Sequence, residues 1–144
     1  MNDLLQHAFR IRAAMNKMQR DISIEMQKQF GMDLTRPQCY LLSLISNEEP
    51  CKITHLAKKL GVRPSTISTM INRLVDDGFV SREYGHNDRR NVLVSITLLG
   101  KEVLKKDVEN YGKVLQQFIG SLESTELETF TRTFEKIAAI HEAR

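Results

Sequence analysis

Asp88-Arg89-Arg90 lies within the segment 85–91, between two short runs that alternate apolar and polar residues. A loop that exposes two guanidinium groups at the tip of a hairpin adds nothing to a core and suits recognition of an anion. Asp88 can pair with Arg90 or with Arg73 and so aim one guanidinium outward. The other arginine can then enter a narrow minor groove, where the negative potential is strongest. Arg90 is the expected minor-groove residue and Arg89 the expected backbone contact. A second polar set lies upstream: Ile67, Met70, Ile71 and Leu74 share one face of a helical run, leaving Ser65, Thr69, Asn72 and Asp76 opposite and Thr66, Ser68 and Arg73 on the flanks. Short hydroxyls and an amide let a helix sit deep in a major groove and offer donors and acceptors to base edges, while longer cations reach phosphates. A helix that needed only to be solvated would more often use Glu, Lys and Ala, which are better helix formers. Arg63 stands where Ser, Thr, Asp or Asn would stabilise the helix start by about 1 kcal/mol, and it opposes the helix dipole. So poor a local choice points to a phosphate bound there.

These side chains need a frame. Thr54 is the expected N-cap of a short helix through Leu60, Gly61 ends it, and Pro64 opens the next helix after only Val62 and Arg63. Two helices joined through such a glycine turn form a helix-turn-helix, whose second member is expected to reach Asp77 and stop at Gly78. Phe79 to Tyr84 and Val92 to Thr97 then make a hairpin, with a loop longer than a tight turn needs and therefore projecting. Before this core, Ala8, Ile11, Met15, Met18, Ile22, Met26 and Phe30 predict one amphipathic helix of roughly six turns, stopped by Gly31. Thr35, Pro37 and Gln38 announce a second, capped by Thr35, with the apolar stretch from Cys39 to Ile45 inside it and an end at 47–50. After the hairpin, Thr97 caps a long helix with Leu104, Val108, Tyr111, Leu115, Phe118 and Leu122 on one stripe. A last helix carries Leu127, Phe130, Phe134, Ile137 and Ile140.

The chain has 144 residues, 41% of them hydrophobic, which suits one compact domain, or a small domain with helical extensions, and is enough to bury a real core. Its charge is unevenly placed: from Lys52 to Lys101 nine basic residues face four acidic ones, net +5, whereas the remainder is −2. A middle segment that meets a polyanion is implied. The longest apolar stretch is too short to span a bilayer and the first thirty residues are charged throughout, so the expected location is cytoplasmic, with no membrane partner. Cys39 and Cys51 are no disulfide scaffold; Cys39, in an apolar stretch, and Cys51, beside Lys52, are read as inert rather than redox-active. His7, His55, His86 and His141 stand apart, without the spacing of a metal site, and no nucleophile, acid pair or phosphate loop has supporting context. Neither a metal, a cofactor nor catalysis is expected. Met15, Met18 and Met26 are read as dimer core.

The motifs Leu56-Ala57-Lys58-Lys59-Leu60-Gly61-Val62, Pro64-Ser65-Thr66-Ile67-Ser68, Asn72-Arg73-Leu74-Val75, Gly78-Phe79-Val80 and Asn87-Asp88-Arg89-Arg90 before Val94-Ser95-Ile96-Thr97 resemble the MarR family of bacterial transcription regulators. The resemblance implies a mainly α, winged-helix (α+β) fold over 1–144: a winged helix-turn-helix lobe at 35–100, with 1–34 and 101–144 forming a helical dimerisation region. It implies a homodimer that binds a pseudo-palindromic operator in double-stranded DNA, as a repressor or less often an activator, and is released by a small aromatic or lipophilic effector. It carries groove reading onto Pro64, Ser65, Thr66, Ser68, Thr69 and Asn72, and the wing onto Arg90 with Asp88. Two departures from the pattern are Arg63, where the family has a small polar cap, and Leu98-Leu99, which are expected to add apolar surface under the last two helices. The rival reading is a winged-helix protein-interaction or architectural module whose basic loop is incidental.

Overall fold

The structure, a computed structural model, describes residues 2–31, 34–84 and 91–142. Its elements are α1 (Asp3–Phe30), α2 (Arg36–Glu48), β1 (Cys51–Lys52), α3 (Ile53–Leu60), α4 (Pro64–Asp76), β2 (Val80–Tyr84), β3 (Val92–Ile96), α5 (Leu98–Ile119) and α6 (Ser124–Glu142). Two compact units result, one of 26–110 and the other of 1–25 with 111–144. Among the described residues no helix is long and apolar enough to cross a membrane.

Within 26–110 the helix ends follow their caps. Thr35 accepts from the Gln38 N–H at 3.3 Å while Gln38 Oε1 accepts from the Thr35 N–H at 3.0 Å, the reciprocal pair that starts α2. Gly61 is left-handed at φ 65, and the Val62 N–H donates to the Ala57 carbonyl across it, closing α3. Gly78, at φ 84, does the same for α4, with the Phe79 N–H on the Leu74 carbonyl. The apolar sides meet in one core: Leu41, Leu42 and Ile45 of α2, Leu56 of α3, Ile67, Ile71 and Leu74 of α4, and Val94 of β3 are completely buried.

The sheet is antiparallel in the order β1-β3-β2, with Val80 opposite Ile96 and Tyr84 opposite Val92, so the connection is 85–91 as expected. The expected hairpin thus has its register, while the conformation of 85–90 lies outside the described residues. β1, unforeseen, pairs Cys51 with Val94 and Lys52 with Leu93.

Four expectations need correction. Thr54 is not the N-cap of α3: Cys51 and Lys52 are held in the sheet, so the helix begins at Ile53, and Lys52 caps without a side-chain bond. The first helix begins at Asp3, ahead of its apolar stripe, because Asn2 Oδ1 accepts from the Leu4 N–H at 3.2 Å. On α5, Leu104 packs on the core as expected and Tyr111, Leu115, Phe118 and Leu122 are half-buried, but Val108 is exposed, and the buried side of the helix also takes in Val103, Asp107, Asn110 and Val114. Leu98 and Leu99, expected under the last helices, are exposed at the first turn of α5.

One junction ties α4, the hairpin and α5. The Thr97 N–H donates to the Phe79 carbonyl at 3.0 Å, the Thr97 hydroxyl to the Gly78 carbonyl at 2.6 Å, and the Gly100 N–H to Thr97 Oγ1 at 3.0 Å, which is the expected cap of α5. A Cβ on Gly100 would lie 2.2 Å from the Phe79 carbonyl oxygen and 2.8 Å from Ile96 Cγ1. At Gly112, in the same helix, it would meet nothing within 4 Å. Gly100→Ala is therefore expected to destabilise the chain by about 2 kcal/mol despite its better helix propensity. Gly112→Ala is expected to stabilise it by about 0.5–1 kcal/mol. Urea melts of the two variants check both signs.

Candidate nucleic-acid interface

α4 docks by Ile67, Ile71 and Leu74, which turns Pro64, Ser65, Thr66, Thr69, Asn72 and Arg73 outward, all exposed. Ser68 is half-buried at the margin of that face. Arg63 is the N-cap of α4, exposed and without a side-chain cap bond, and Pro64 is in the first turn. The backbone N–H groups at this helix start therefore have no side-chain oxygen from Arg63, a setting that suits an incoming anion. Asp88, Arg89 and Arg90 lie outside the described residues.

Two side chains on the exposed face have defined partners. Thr69 Oγ1 donates to the Ser65 carbonyl one turn back at 3.1 Å, so its proton points along the helix and its lone pairs outward. Arg82, on β2, donates from Nη1 to Asn72 Oδ1. Arg82 is one of the nine basic residues between Lys52 and Lys101, and is not among the site residues expected from sequence. The signal was available: it shares its strand face with Val80, and Val80 is buried. On α3, Lys59 and His55 both reach the Glu48 carboxylate, at 2.5 and 2.6 Å, and hold its pKa below the usual value. Part of the basic surface beside the helix pair is thus neutralised in place.

A second polar group lies inside the same unit. Asp107 of α5 pairs with Arg36 in the first turn of α2 and accepts a hydrogen bond from Cys39 Sγ at 2.8 Å. Burial pushes the Cys39 thiol from its ordinary 9.0 up to about 12, and the hydrogen bond and charge of Asp107 act in the same direction against the Arg36 guanidinium. Cys51 is buried too, its thiol raised by desolvation and then by Glu48 and Glu49. Both shifts favour the protonated thiol, the weaker nucleophile of the two forms. Asp107 also borders a cavity of about 40 Å³ walled by Met26, Phe30, Leu34 and Val103, with Lys106 and Asn110 on its polar side. Sequence reading missed Asp107 because it assigned the inward stripe to its neighbour Val108; an acid within the 103–107–110–114 spacing was the overlooked sign.

A short helix pair with an exposed polar second helix, followed by an antiparallel hairpin whose β3 also pairs with β1 ahead of the helices, defines a winged helix-turn-helix protein. The MarR family model matches residues 34–92. The chain is 27% identical over 99 residues to an uncharacterised HTH-type transcriptional regulator of Bacillus subtilis, YwhA, spanning 69% of this chain and 71% of that protein. It is 31% identical to a MepR-like protein crystallised with pseudoligands, with a TM-score of 0.65 over 97% of this chain and 96% of that one. A crystal structure of MarR superposes with a TM-score of 0.80 at 21% identity, covering 93% and 98% of the two chains. The chain belongs to the MarR family and is a transcription regulator with a winged-helix DNA-binding fold.

The thiol proton of Cys39 has a measurable consequence. The folded chain keeps it to a higher pH than the unfolded chain, so the stability it contributes is complete below about pH 9 and is lost as the pH rises toward about 12. The stability difference between the native chain and Cys39→Ala is expected to narrow over that range in urea melts. Iodoacetamide at pH 8 is expected to leave Cys39 unmodified until urea is added.

Proposed function

We propose that this chain is a sequence-specific repressor that binds a pseudo-palindromic operator as a homodimer and is released by a small aromatic or lipophilic effector. The observation that carries the reading is the outward face of α4, where Ser65, Thr66, Thr69 and Asn72 present short polar groups and Arg63, Arg73 and Arg82 surround them with charge. Short groups reach base edges and the arginines reach phosphates, while Arg89 and Arg90 extend contact from the hairpin, with Arg90 in the minor groove.

The homodimer is supported by apolar surface that a single chain leaves uncovered. On α6, Phe130, Phe134, Ile137 and Ile140 are 48–57% exposed, and on α1 Leu4, Phe9, Ile11 and Met15 are exposed as well. Two reading helices related by a two-fold axis would meet half-sites about one helical turn apart.

The effector reading rests on the cavity beside Asp107. At about 40 Å³ it is too small for an aromatic ring, since roughly 150 Å³ is needed for benzene. A ligand that enters must push its walls apart, and one wall carries the carboxylate that holds Arg36 and Cys39 of α2. Such a ligand would thereby act on the element packed behind α3 and α4. The MepR-like relative is described with pseudoligands, which agrees with ligand response in this family.

Fluorescence anisotropy with duplexes from the chain's own promoter region tests the reading. Thr69→Ala and Asn72→Ala are expected to weaken the preferred duplex by about 1–3 kcal/mol while leaving unrelated DNA unaffected. Arg73→Ala and Arg90→Ala are expected to weaken all duplexes alike and to lower the salt slope by about 1 each. Binding that ignores sequence in every variant would return the chain to the architectural alternative.

A further inference from the structure

The contact between Arg82 and Asn72 rests on the DNA-reading role proposed above and makes it more specific. Strand alternation places Arg82 on the side of β2 that carries buried Val80, so its side chain leaves toward α4 and Nη1 donates to Asn72 Oδ1. A guanidinium has donors and no acceptor, so the end of the amide that faces it is the oxygen. The amino group is the end of Asn72 that remains for a base. One turn back, Thr69 has directed its hydroxyl proton to the Ser65 carbonyl and offers lone pairs and a methyl group. The exposed face of α4 thus has a fixed polarity, an acceptor at 69 and a donor at 72.

Polarity of that kind selects among bases. An asparagine that reads adenine uses both ends of its amide, the oxygen taking the N6 amino group and the amino group donating to N7. Oδ1 keeps a second lone pair, but the bond from Arg82 turns it toward β2, so closing the adenine pair requires the amide to rotate away from the guanidinium. Its free amino group suits an edge that carries acceptors alone, which in the major groove is N7 and O6 of guanine. We propose that Arg82 is a positioning residue for base readout: it makes Asn72 a donor and so sets a preference for guanine over adenine at the base pair Asn72 meets.

Selection from a pool of randomised duplexes, with the full chain and four variants, tests this. Asn72→Ala identifies the position concerned, because the preference there is lost. The native chain is expected to enrich guanine at it, and Arg82→Met, which keeps the stem but removes the donor, to shift the guanine-to-adenine ratio about tenfold toward adenine. Arg82→Lys keeps a donor and is expected to retain guanine. Asn72→Asp leaves Arg82 untouched and turns the outward end into an acceptor, so cytosine, with its N4 amino group, is expected instead. The proposal is overturned if the native chain selects adenine there, if Asn72→Asp retains guanine, or if Arg82→Met weakens every sequence equally with the ratio unchanged, which would make Arg82 a phosphate contact. Failure of the native chain to enrich any sequence would overturn the DNA-reading role itself, and the role of Arg82 with it, an outcome distinct from an unchanged ratio.

Discussion

The carbonyl oxygen of Phe79 is the fixed point of the winged-helix lobe. It accepts the Thr97 N–H at 3.0 Å, and the first turn of α5 passes so close that Gly100 has no room for a side chain. The end of α4, the root of the hairpin and the start of α5 therefore converge on backbone atoms, which no rotamer change can relax. Glu49 reinforces the same place from the other side. Its Oε2 accepts from the Ile96 N–H at 2.9 Å and Lys101 lies 3.6 Å from its other oxygen. With these elements joined, a shift at the beginning of α5 has to be accommodated by the helix that presents the polar face.

That helix is assembled from residues that do little to stabilise it. Arg63 gives no cap bond, Pro64 has no N–H to give, and the outward hydroxyl and amide side chains are indifferent helix formers. What holds α4 is its other side, where Ile67, Ile71 and Leu74 are completely buried and each contributes about 1.5–3 kcal/mol of apolar burial. Glycine-centred closures at the end of α3 and of α4 set where the helix starts and stops. Division of labour between the two faces leaves the outer one at liberty to be chosen for chemistry.

Local signals made most of this frame legible. Thr35 with Gln38, Gly61, Pro64, Gly78 and Thr97 mark element ends because each acts on neighbours within about four residues, and the alternation of Val80, Arg82 and Tyr84 marks a strand by its own period. What escaped depends on distant partners. β1 is two residues long, too short to show a period, and exists because Val94 and Leu93 are there to pair with it. Asp107 faces inward because Arg36 and Cys39, some 70 positions earlier, receive it. The neighbouring Val108, the better candidate on hydropathy, is turned out as a result. Arg82 was seen as charge and not as a partner of Asn72, since strand and helix come together only in the folded lobe.

β2 is an outer strand of the sheet, with β3 on one side and nothing paired on the other among the described residues. An open strand edge invites another chain to pair with it, and proteins blunt such edges with charge. β2 carries Arg82 and Glu83 in succession, on opposite faces, so neither face of the strand offers the flat apolar surface on which a foreign strand or a growing fibril could settle. The arginine that orients Asn72 in this way also shares with Glu83 the task of keeping an open strand edge charged, so the residue that sets the polarity of the reading face belongs to the wing's protection as well.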